Sequence, residues 1–126
     1  MAAYFPDADL DAALARLTNG DQMCYCKTAQ PTSYAEATGA NMVAHKDTPT
    51  IGAAGDRSGG GRKRTISAVT DGVCDAAGTA GWWALVDVSE TALLAANALS
   101  ATQVVALGIP VTCTAIDIGV PDAVSE

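Results

Sequence analysis

The sequence predicts a mainly β fold, an antiparallel β-sandwich or small barrel with one N-terminal α-helix packed on it. Three observations lead there. Short apolar or alternating segments recur about every eight to twelve residues, separated by Gly, Asp and Pro, which is the rhythm of a sandwich or barrel. The chain is 49% hydrophobic but only 5% aromatic, so Ala, Val and Thr must fill much of the interior, and such small and β-branched residues suit closely packed sheets. Helical periodicity is clear only near the N-terminus.

The chain of 126 residues has the size of one domain, and no repeat or linker divides it, so residues 1–126 are read as a single unit. Residues 1–6 form an arm holding Tyr4 and Phe5. A helix is predicted over residues 7–18. Asp7, Asp9 and Asp11 favour the positive end of its dipole, Leu10, Leu14 and Leu17 make one apolar stripe, and Asn19-Gly20 stops it. Met23 to Ala29 is a strand, Gln30 to Ser33 a turn, and Tyr34 to Ala37 one helical turn. Asn41 to His45 is short enough for an edge strand.

Residues 47–61 read as a Gly-rich loop, long enough to be functional or mobile. Arg62 to Val69 alternates as one strand, and Asp71-Gly72 reads as a turn. Val73 to Ala77 pairs next. Thr79 to Val86 then holds both tryptophans, Trp82 and Trp83, which alternation sends to opposite faces. Leu93 to Leu99, Thr102 to Ala106, Ile109 to Ala115 and Ile116 to Val120 complete the strands. Large aromatics dominate the energetics of a core, so the Trp82-Trp83 strand is the expected packing centre.

The net charge of −7 argues against nucleic acid and anionic membranes as partners. No apolar run reaches the roughly 20 residues of a membrane-spanning helix, and no signal-peptide layout opens the sequence. A protein made in a cytoplasm is the expectation. Cys24, Cys26, Cys74 and Cys113 do not have zinc-ligand spacing, so no metal or other cofactor is expected, and the cysteines read as reduced, small apolar residues. His45 is the single candidate general base near neutral pH, and strand alternation is expected to carry Asp47 away from it. No catalytic residues are assigned and no enzymatic activity is expected.

One cluster of charge stands out. Arg57, Arg62, Lys63 and Arg64 are four of the seven cations, beside the Gly-rich loop. They read either as a basic tongue for an acidic partner or as a solvated strand start that deters edge pairing. Reversing Arg62 and Arg64 is expected to leave folding intact. Tyr4, Phe5, Arg57, Arg62, Lys63 and Arg64 are the candidate interface residues.

Three segments carry a resemblance: Met23-Cys24-Tyr25-Cys26-Lys27-Thr28-Ala29-Gln30-Pro31-Thr32-Ser33-Tyr34-Ala35-Glu36-Ala37, then Gly78 to Asp87 with Leu93 to Ser100, then Thr112 to Asp122. In this order they resemble small structural proteins of tailed bacteriophages, of decoration (cement) or tail-fibre type. Those relatives usually carry Thr-His-Trp where this chain has Ala80-Gly81-Trp82-Trp83, and tend to lack the Arg62-Lys63-Arg64 density. The resemblance implies a virion protein. As a decoration protein it would bind the major capsid protein on the outer capsid surface as a homo-oligomer such as a trimer. Alternatives are a tail or neck component and a carbohydrate- or receptor-binding module.

Overall fold

The computed structural model describes residues 7–58 and 60–120. The fold is mainly β, with a curled six-stranded antiparallel sheet and a short N-terminal helix. Helix α1 spans Asp7–Ala15 and tightens into a 3-10 turn over Arg16–Asn19, close to the expected range. Gly20 ends it in extended rather than left-handed backbone, φ −65°. Glycine is required there for space, because a Cβ would lie 2.6 Å from the Leu85 side chain.

The strands are β1 (Gln22–Cys26), β2 (Met42–Asp47), β3 (Gly55–Asp56), β4 (Arg62–Ile66), β5 (Val69–Cys74), β6 (Gly78–Asp87), β7 (Ala92–Val105), β8 (Val111–Cys113) and β9 (Ile116–Val120). Between β1 and β2 lies helix α2, Tyr34–Thr38. Ser33 caps it by accepting from the Glu36 amide at 3.1 Å, while the Glu36 carboxylate reaches back to the Thr32 hydroxyl at 3.0 Å. The large sheet runs β7-β6-β1-β2-β5-β8 and the small one β3-β4-β9. The expected edge strand at Asn41 to His45 is therefore interior, since β2 pairs with both β1 and β5.

The two sheets share a bent ribbon. Ile66 faces Ile116 and Val69 faces Cys113, so the register runs unbroken through a bend at residues 67–68 and 114–115. The single strand expected from Arg62 to Val69 is thus broken, with Ile66 and Val69 both buried on either side of the corner. Asp71-Gly72 is no turn either. It lies inside β5 at a bulge, where a Cβ on Gly72 would meet the Val111 carbonyl at 3.0 Å. The Gly-rich segment lays itself back along β4 through β3 and an Ile51–Ile66 bridge.

Alternation on β1 and β6 gives the large sheet two buried faces. Met23, Tyr25, Trp83 and Leu85 face the small sheet and α1, packing with Leu14, Leu17, Ile66 and Val111. Cys24, Cys26, Ala84 and Val86 face the other way, under Ala37 of α2. The tryptophans do diverge. Trp83 belongs to the main core, and Trp82 flanks the α2 cluster beside Tyr34 and Leu93. Tyr25, with 1% of its surface exposed, is the largest fully buried side chain, so the packing centre is shared between β1 and β6.

Candidate partner surfaces

The basic segment is committed largely to the chain itself. Arg62, on β4, donates through Nε to Asp11 of α1 at 2.8 Å and through Nη1 to Asp56 of β3 at 2.7 Å. Lys63 pairs with Asp117 of β9 at 3.0 Å. Arg64 donates to the Gly52 carbonyl at 2.9 Å, and Arg57 to the Gly60 carbonyl at 3.0 Å. β4 thus brings Arg62, Lys63 and Arg64 together as the staples of the small sheet, with Arg57 packed against Gly119. Tyr4 and Phe5 lie outside the described residues.

Several other polar groups are likewise engaged within the fold. His45 Nδ1 lies 2.6 Å from Asp75. Its Nε2 lies 3.9 Å from Asp47, because residues two apart on a strand share a face, contrary to the expected divergence. Asp87 accepts from the Ser89 hydroxyl at 2.6 Å and the Glu90 amide at 3.2 Å, which ties the β6–β7 turn. The Ser89 bond leads in holding the Asp87 carboxyl below its ordinary value. Asp117 is lowered too, first by the Thr65 hydroxyl at 2.6 Å and then by Lys63.

The four cysteines are unbridged, with Cys24, Cys26 and Cys74 buried. Burial pushes Cys24 up to about 12 and Cys26 up to about 11, and raises Cys113. These thiols stay protonated at neutral pH and are therefore poor nucleophiles. Tyr25 is raised by burial first and then by its Cys113 neighbour. Among the described residues, no group of three or more His, Cys, Asp or Glu side chains could hold a metal ion. No helix among them is long and apolar enough to cross a membrane.

A second surface has the opposite character. From Thr91 to Ile116 the chain carries no charged side chain. That stretch holds β7, β8 and the turn that joins them. β7 forms one edge of the large sheet and β8 the other, and the curl of the sheet brings the two together. They meet without a backbone ladder. Between them runs a groove of about 480 Å³, lined by Val69, Leu99, Ala101, Thr112, Cys113 and Thr114. The Gln103 amide donates across it to the Thr112 hydroxyl at 3.1 Å. A second opening of about 220 Å³ continues the seam past Leu99 and Cys113 toward Asn97 and Ile116.

β7 bulges where it lines the seam. Ala80 pairs with Gln103 but Trp82 pairs with Ala98, so Leu99 to Thr102 crowd opposite Gly81. At the turn between β7 and β8, Val104 (78%), Leu107 (67%) and Ile109 (62%) are strongly exposed. The sequence suggested two short strands, Leu93 to Leu99 and Thr102 to Ala106, where β7 is one, and no interface role for this region. The available signal was the charge-free run itself, which is unusual in a chain of net charge −7.

No protein family matches this chain, and neither the curated proteins nor the solved structures contain a match.

Proposed function

We propose that the chain is a structural virion protein of a tailed bacteriophage, acting as a capsid decoration protein. It binds the outside of the major capsid protein shell as a homo-oligomer and stabilises the head. One observation carries the reading: Arg62, Lys63, His45, Asp87 and Asp117 are engaged in holding the fold, while β7, an edge strand of 14 residues without a charged side chain, is left to make contact. Such a molecule is suited to contact and poorly suited to chemistry, so we read it as a non-enzymatic binder. The resemblance adds support. Its three segments fall on β1 with α2, on β6 with β7, and on β8 with β9, so it concerns the framework. A ligand that binds only the assembled lattice stabilises it by mass action.

The basic segment keeps a part in this reading through Arg57 and Arg64, whose protein partners are carbonyl oxygens. A carbohydrate-binding module is less well supported. It needs an exposed aromatic platform, whereas Trp83 is buried and Trp82 packs beside α2. The test is the number of copies per particle, by quantitative mass spectrometry and cryo-electron microscopy of virions. A decoration protein is present in hundreds of copies over the head. A handful of copies confined to the tail would transfer the chain to the tail or neck, and absence from virions would end the reading.

A further inference from the structure

We infer that Cys24, Cys26 and Met42 form a binding site for one soft monovalent metal ion, of the copper(I) or silver(I) class. The inference is independent of the virion reading.

Three sulfur side chains meet on the face of the large sheet that α2 covers. Cys24 and Cys26 are two apart on β1, so they rise from one face with Cα atoms about 6.6 Å apart. Met42 of β2 is the cross-strand partner of Cys26, and such partners stand about 5 Å apart at Cβ. All three belong to one cluster, walled by Ala37, Ala84 and Trp82. The thiols are unbridged, and each makes one long contact. Cys24 Sγ donates to Gln22 Oε1 and Cys26 Sγ to the Ala37 carbonyl, both at 3.5 Å. Bonds that long are weak and yield to a metal.

The sulfur donors select the ion. Thiolate and thioether are soft ligands, which favour copper(I). Ions of this class are satisfied by two or three donors, so no larger group of His, Cys, Asp or Glu is needed. His45 lies opposite Cys24 but is held by Asp75, and stays outside the set.

The surroundings favour a cation. Burial first, and then negative charge at Cys26, Asp75 and Asp47, pushes the Cys24 thiol up. The two sulfurs are thus within electrostatic reach of each other, and a cation between them removes the repulsion of paired thiolates. On binding, two S–H bonds break, two metal–sulfur bonds form and both protons pass to solvent. No oxidation state changes. Met42 is half-buried at the margin of the cluster, while both cysteines are fully buried, so the ion enters past the thioether.

Silver(I) tests this without a redox step, in the full chain carrying Cys74→Ala and Cys113→Ala to remove the other thiols. This variant should bind one silver ion in native mass spectrometry and gain thermal stability from it. X-ray absorption should show three sulfur neighbours around the metal. Met42→Leu, added to it, should reduce the three to two, and Cys24→Ala should abolish binding, with circular dichroism checking the fold. The absorption measurement needs only the starting variant, so it decides the matter even where Cys24→Ala unfolds the chain. Nitrogen or oxygen neighbours would overturn the site. Silver binding that is unweakened by Cys24→Ala, or that occurs only once the chain has unfolded, would overturn it too.

Discussion

The small sheet and the β7–β8 region handle charge in opposite ways. In β3-β4-β9, cationic and anionic side chains are interleaved, and Arg62 links three separate elements through Asp11, Asp56 and its own strand. β7, β8 and the turn between them carry no charge of their own and leave apolar side chains exposed. A short sheet with little apolar area needs polar contacts to fix it, so its charges are directed inward to the chain. The lesson is that a conspicuous cluster of charge can be structural.

Substitutions divide the regions by magnitude. The largest effect belongs to the core that both regions share: Trp83→Ala should lower stability by about 3–5 kcal/mol in chemical denaturation, because Trp83 joins the main core at 6% exposure. Arg62→Glu comes next. It places a carboxylate against Asp11 and Asp56, and should cost about 1–3 kcal/mol and loosen α1, read as faster amide exchange in that helix. This revises the expectation that reversing Arg62 leaves folding intact. Asp87→Ala removes the cap of the β6–β7 turn and should lower the denaturation midpoint, by less than Arg62→Glu does. Val104→Lys should change monomer stability by less than about 0.5 kcal/mol, since the side chain is 78% exposed. An equal loss from Val104→Lys and Arg62→Glu would break the contrast.

The thiols give a pH test. The ordinary thiol value is 9.0, while Cys24 in the fold is pushed up to about 12. Its folded value is raised, so its contribution is complete below pH 9 and is lost as pH rises from 9 toward 12. Denaturation midpoints should fall over that range, and Cys24→Ala should flatten the decline. Native-state labelling with a thiol reagent should reach Cys113, which is half-buried, before Cys24, Cys26 or Cys74.

Much of this fold could be read from the sequence where local pattern and burial agree. The Leu10, Leu14, Leu17 stripe, the β1 alternation that puts Cys24 and Cys26 on one face, and the opposed tryptophans all follow from period alone. The misreadings share a cause. Gly72 serves a close approach inside β5 rather than a turn, and Ser67–Ala68 carries a corner between sheets. Both depend on partners far away in sequence, β8 and β9. The same holds for the site. Arg62 looked available because Asp11, 51 positions away, is invisible to local reasoning. The open seam exists only once the sheet has curled.

Amide hydrogen exchange on the full chain, compared between wild type and Arg62→Glu, tests the central contrast most directly. The account predicts that helix α1 and residues 62–66 of β4 lose protection while residues 92–105 of β7 do not change. Protection lost in β7 with α1 and β4 exchanging as before would contradict it.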